Sequence, residues 1–162
     1  MTGSEREQVV HVAESAALGS EDTDSEDAPA VADLLLTGHP AVAEALSRAR
    51  EQLTAWARSA GLDDEQVDDA ALAVYEAMAN IVDHAYEQPG GTFDLHACRC
   101  GDLVTVTVAD RGRWKPPESG APNWRGRGLL IMERATSALD VSRHAMGTTV
   151  RMSWLASTSD QP

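Results

Sequence analysis

The sequence predicts an α+β fold, a two-layer sandwich in which a mostly antiparallel, mixed sheet carries its helices on one face. Three observations lead there. Two long stretches, Val42–Ala57 and Val67–Val82, repeat apolar residues at helical spacing. Two pairs of strand-like runs are each joined by a short turn, at Gly101-Asp102 and at Met146-Gly147. The elements follow as strand, two helices, two strands, long loop, helix and two strands, with no internal repeat.

Residues 1–30 are rich in Ser, Asp, Glu, Gly and Ala and read as a disordered acidic tail, with a short amphipathic turn at Val9–Ala17. Order is expected over residues 31–156, with residues 157–162 a disordered C-terminus. Val31–Leu36 reads as a first strand ending at Gly38. Pro40 stands where a helix begins, and Val42, Leu46, Ala49, Leu53, Trp56 and Ala57 form its apolar face up to Gly61. Asp63 or Asp64 caps a second helix that ends before Pro89-Gly90-Gly91. Thr92–Cys100 and Leu103–Ala109 are strands. Asp110–Arg127 is a Gly-, Pro- and Arg-rich loop without periodicity, of a length that usually marks function or disorder. A helix from Gly128 to about Ser137 and strands at Leu139–His144 and Thr148–Leu155 complete the order.

With 162 residues and 43% apolar content, the chain suffices for one domain with one core. Only 4% is aromatic, so Ala, Val and Leu must build most of that core. The net charge of −13 divides into −7 over residues 1–30 and −6 over the remainder. Both parts repel nucleic acid and anionic membrane surfaces. An acidic body suits a basic protein partner, and equally serves solubility alone. No apolar run approaches the roughly 20 residues that span a bilayer, and the start lacks the basic and apolar regions of a signal peptide. Cys98 and Cys100, two apart in a strand, suit a disulfide poorly, and His96 alone nearby makes a weak zinc site. A cytoplasmic protein with reduced thiols is expected.

Three groups of residues carry chemistry. Glu76 and Asn80 stand four apart on the second helix and share a face, which Asp83 and His84 extend by a turn. An Asn amide oxygen is a neutral, hard ligand suited to Mg²⁺. A carboxylate one turn earlier can polarise a hydroxyl. The same spacing is also that of an ordinary exposed polar face. Asp110-Arg111-Gly112 closes an apolar strand, where a carboxylate can accept from an amino group and the glycine admits a flat ring. By itself it is an Asp-x-Gly turn. Gly126-Arg127-Gly128 opens a helix, leaving backbone N–H groups free for phosphate oxygens. Arg111, Arg113, Lys115, Arg125 and Arg127 place five of thirteen cations in this one loop, against Asp110 and Glu118. Such a loop meets an anion, or docks on an acidic protein.

Taken in order, Glu76-Ala-Met-Ala-Asn80-Ile-Val-Asp-His84-Ala-Tyr86, Asp110-Arg-Gly112, Gly126-Arg-Gly128-Leu-Leu-Ile-Met132 and Gly147-Thr148-Thr-Val150 resemble the N, G1, G2 and G3 boxes of the GHKL ATPase/kinase superfamily. The match is best with the compact branch of anti-sigma-factor serine kinases (RsbW- and SpoIIAB-like), over about Val31 to Leu155. The resemblance implies the Bergerat ATP-binding fold, with ATP and Mg²⁺ as cofactors. It makes Asn80 the Mg²⁺ ligand, Asp110 the reader of the adenine amino group and Gly112 the floor of the base pocket. Gly126 and Gly128 become lid hinges, and Thr148 supports the adenine–Asp110 network. Asp83, His84, Arg125, Arg127 and Leu129 join the nucleotide-binding set, and Glu76 becomes the general base. Implied partners are an anti-anti-sigma (STAS-type) protein, which is phosphorylated on serine, and a sigma factor, with the kinase a homodimer. A nucleotide-dependent binding module without kinase activity is the second reading.

Overall fold

A computed structural model describes residues 31–113 and 125–156. The expectations for residues 1–30 and 157–162, and for Lys115 and Glu118 in the long loop, lie outside the described residues. The elements are β1 (Leu34–Pro40), α1 (Ala43–Ser59), α2 (Asp64–His84), β2 (Thr92–Cys100), β3 (Leu103–Asp110), α3 (Arg125–Arg134), β4 (Ala138–His144) and β5 (Gly147–Leu155). The sheet order is β1-β2-β3-β5-β4, and every neighbouring pair is antiparallel. The expected mixed sheet is therefore wholly antiparallel. After β3 the chain crosses through α3 to the far edge, lays down β4, and turns back so that β5 fills the gap beside β3.

Alternate residues of each central strand enter the helical layer, as a period of two requires. Phe93, Leu95 and Ala97 of β2, Val104, Val106 and Val108 of β3, and Val150, Met152 and Trp154 of β5 are all buried. From above, α1 supplies Leu46, Leu53 and Trp56, and α2 supplies Val67, Val74, Met78 and Ile81. Ala49, Ala70, Ala73 and Ala77 are no more than 1% exposed, so small side chains let the helices sit close to each other and to the sheet. The two described tryptophans bury their rings while keeping a partner for the indole N–H. Trp56 Nε1 donates to the Ala32 carbonyl and Trp154 Nε1 to the Ala135 carbonyl, both at 2.7 Å.

The helix ends have local causes. Asp63 accepts from the Gln66 backbone N–H at 2.8 Å, and the Gln66 side chain accepts from the Asp63 N–H at 3.2 Å, a reciprocal capping box that starts α2. Beyond α1, Arg99 Nη1 donates to the Ala60 carbonyl at 2.8 Å, placing a cation where the helix dipole is negative.

Several boundaries differ from the sequence reading. β1 begins at Leu34 and does not stop at Gly38. It continues to Pro40 across a bulge between Leu36 and His39, where Gly38 adopts φ 65° and donates to Asp94 Oδ1 at 2.6 Å. A bulge takes one left-handed residue without ending the strand, which is why a glycine that reads as a stop is not one. Pro40 closes β1 instead of opening α1, which starts at Ala43. α3 starts at Arg125 rather than Gly128 and ends at Arg134 rather than near Ser137. Its glycines fall in the first turn, where N–H groups lack helical partners in any case.

Asp63→Ala should lower stability by about 1 kcal/mol. In urea unfolding the midpoint should fall with the slope unchanged; an unmoved midpoint would show that the capping box contributes nothing.

Candidate functional site

The site forms where the second half of α2 crosses the ends of β3 and β5. β3 delivers Asp110 as its last residue, pointing to the helical side in phase with the buried Val104, Val106 and Val108. Thr148 of β5 is paired directly with Asp110, so the two side chains leave the sheet together. Both are buried, at 7% and 3% exposure, among only three polar residues of the described core.

The turn after β3 is held tightly. Asp110 Oδ1 accepts from the Gly112 N–H at 2.8 Å. The Arg113 N–H donates to the Ala85 carbonyl at 2.8 Å, and the Arg111 N–H donates to the Tyr86 hydroxyl at 3.1 Å. Tyr86 in turn donates to the Thr92 carbonyl at 2.7 Å, so one phenol links α2, β2 and the turn. A Cβ at Gly112 would collide with the Ala85 carbonyl, one at Gly91 with the Tyr86 ring, and one at Gly147 with the Asp110 carbonyl.

Above this floor, Ala77, Asn80 and Ile81 of α2 face Leu129 and Met132 of α3 across a cleft that also takes in Asp110 and Thr148. The cleft holds about 510 Å³ of empty space, open mouth included. Its described walls are mainly apolar, with a few polar groups converging. Gly128 approaches from α3: a Cβ there would stand 3.1 Å from Glu76 Oε2 and 3.6 Å from the Asn80 amide. Thr148 Oγ1 is buried and, among the described residues, has no hydrogen-bond partner. A native protein leaves few such atoms, and each costs roughly 1–3 kcal/mol. A hydroxyl left without a partner beside a carboxylate, at the base of an apolar cleft, fits a ligand edge with both a donor and an acceptor. A purine carrying an amino group presents such an edge.

The structure thus gathers Asn80, Asp110, Leu129 and Thr148 around one cleft, with Glu76 and Gly128 beside Asn80 and Gly112 beneath. Gly126 and Arg127 occupy the exposed first turn of α3, and Arg125 opens the helix. Asp83 is exposed and neither it nor His84 borders the cleft, because the end of α2 has passed beyond it. Arg111, one of the five loop cations, pairs with Asp94 at 3.0 Å. Cys98 and Cys100 are free thiols on β2, and burial, reinforced by Asp33, pushes the Cys98 thiol up, which disfavours thiolate chemistry. Sequence reasoning missed Tyr86 as a strut and Arg143 as a wall of the cleft. Counting back across the hairpin turn would have found Arg143, since it lies opposite Thr148.

Residues 39–154 match the histidine kinase-like ATPase domain family. The serine-protein kinase RsbW of Halalkalibacterium halodurans is 34% identical over 74 residues, which is 46% of this chain and 45% of the relative. An anti-sigma F factor of Clostridium acetobutylicum is 31% identical over 96 residues, covering 56% of this chain and 57% of the relative. The chain therefore spans about half the length of these curated relatives. A crystal structure of the RsbU and RsbW domains of a Mycobacterium tuberculosis protein aligns at 28% identity with a TM-score of 0.61, over 75% of this chain and 32% of that one.

Thr148→Val removes the unpartnered hydroxyl while keeping its shape. The ligand-free variant should be more stable by about 1 kcal/mol and bind nucleotide less well. Thermal melting with and without nucleotide checks both; a destabilised apo variant would mean that the hydroxyl already has a partner.

Proposed function

The chain belongs to the histidine kinase-like ATPase domain family, and we propose that it is an ATP-dependent protein-serine kinase and anti-sigma factor. In this reading it phosphorylates an anti-anti-sigma (STAS-type) protein on serine and sequesters a sigma factor. The buried, unpartnered Thr148 hydroxyl beside Asp110, in a cleft that Asn80 also borders, carries the reading.

Asp110 accepts from the adenine amino group and Thr148 bonds the adjoining ring edge, while Val108, Val150 and Met132 exclude water from the base. Gly112 keeps the pocket floor at backbone thickness. Asn80 offers one neutral oxygen, so a Mg²⁺ held there takes its other ligands from phosphates and water and neutralises phosphate charge. The first-turn N–H groups at Gly126 and Gly128, with Arg125, Arg127 and Leu129 around them, approach the phosphates from α3. Glu76, one turn before Asn80, takes the proton of a partner serine as its oxygen bonds to the γ-phosphorus and ADP leaves with the bridging oxygen. Positioning and charge neutralisation supply most of the catalysis. A cytoplasmic homodimer is the form in which this activity would operate. No helix among the described residues is long and apolar enough to cross a membrane.

One observation favours a second reading, a nucleotide-dependent binding module without transfer. The Glu76 carboxylate lies close to the first turn of α3, where a Cβ at Gly128 would stand 3.1 Å from its Oε2, and a serine hydroxyl must reach that same carboxylate.

Asn80→Ala should abolish Mg-ATP binding while changing stability by no more than about 1 kcal/mol. Glu76→Gln should bind ATP and fail to label the substrate serine in a phosphotransfer assay with candidate STAS proteins. Unaltered ATP affinity in the first variant removes the site assignment. A fully active second variant ends the role of Glu76 as base, and binding without transfer in the wild type selects the binding module.

A further inference from the structure

Arg143 stands in the wall of the cleft and takes no part in the nucleotide contacts above. It lies on β4 directly opposite Thr148 of β5, and Thr148 lies directly opposite Asp110 of β3. Residues paired in this way leave the sheet on the same face. A carboxylate, a hydroxyl and a guanidinium therefore form one row across three strands, and all three border the same cleft. Neighbouring strands are about 4.8 Å apart, so the row measures about 10 Å along its base.

The surroundings of Arg143 decide what a cation can do there. Val141 and Val150 flank it on the sheet, and Leu129 and Met132 of α3 face it. Arg143 itself is exposed, so its guanidinium sits at the rim of these apolar walls, where a planar, weakly hydrated group can lie flat against a ring. The phosphate end of the site lies elsewhere, where Gly128 meets Glu76 and Asn80. Arg143 is the neighbour of Thr148 and belongs to the base end.

Resting on the ATP-site reading, we propose that Arg143 covers the nucleobase. Its guanidinium lies over the face of the adenine whose edge Asp110 and Thr148 hold, closing the pocket along β4. The contact adds affinity through the base and not through the phosphates, and it favours the larger purine face over a pyrimidine.

Calorimetric titration of the full chain and of Arg143→Ala with adenosine, Mg-ADP and Mg-ATP tests this. Arg143→Ala should weaken all three by the same factor, about ten-fold. Arg143→Lys, which keeps the charge without the planar face, should recover only part of the loss. A loss that grows with the number of phosphates, or full recovery by lysine, would make Arg143 a phosphate contact and overturn the proposal. Unchanged affinity for all three ligands overturns it as well. Melting curves of the free variants control for folding, and Arg143→Gln replaces the alanine variant if that one unfolds. If the wild type binds none of the three, the ATP-site reading falls and this assignment with it; if it binds and the variants match it, this assignment alone falls.

Discussion

The end of α2 meets the turn after β3 at a distance that leaves no space for a side-chain carbon, and the geometry of the cleft follows from that closeness. Ala85 presents its carbonyl to the space a side chain at Gly112 would fill, and accepts from the Arg113 N–H. On the other side, Gly147 lies against the Asp110 carbonyl at φ 143°. Asp110 is therefore held from its helix side and its strand side at once. The Tyr86 hydroxyl adds a third restraint by joining the Arg111 N–H to the Thr92 carbonyl. Fixing the carboxylate this firmly lets it select a hydrogen-bond donor with little reorganisation, which is the use of a rigid first contact.

The opposite wall is built on other terms. α3 opens with two glycines in its first turn, each costing up to about 1 kcal/mol of helix stability relative to alanine. Among the described residues a Cβ at Gly126 would meet nothing within 4 Å, whereas one at Gly128 would press on the Glu76 carboxylate at 3.1 Å. The start of α3 is thus among the least costly parts of the fold to rearrange, while its second half is pinned through Met132 and through the bond from Trp154 to the Ala135 carbonyl. A firmly held turn beside an easily displaced helix start gives the cleft one fixed wall and one adjustable wall. The unpartnered Thr148 hydroxyl fits the same account, since stability given up in the empty protein is regained on binding.

Much of this was legible in the sequence because the signals were local. The capping residue of α2, the Gly101-Asp102 hairpin and the spacing from Glu76 to Asn80 depend on neighbours a few residues away. Asp110 and Thr148 were legible through the resemblance of four motifs in order, although their direct pairing across β3 and β5 required the sheet. What failed was what depends on distant partners. Gly38 looked like a strand end because the Asp94 carboxylate that secures its bulge is 56 residues away. Arg111 read only as one of five loop cations because that same carboxylate, which also pairs with its guanidinium, could not be placed beside it. Arg143 carried no signal of its own in the sequence, and only the hairpin register places it beside the cleft.

The sheet order has a temporal meaning as well. β5 is the last strand of the described residues, yet it lies between β3 and β4, so Asp110, Thr148 and Arg143 have no common wall until it enters. During synthesis, at about 5–20 residues per second, earlier segments emerge and pair while that slot stays open. Docking β5 closes long-range contacts and so belongs to the slow end of folding. The wall that Asp110, Thr148 and Arg143 share is therefore completed only when β5 docks.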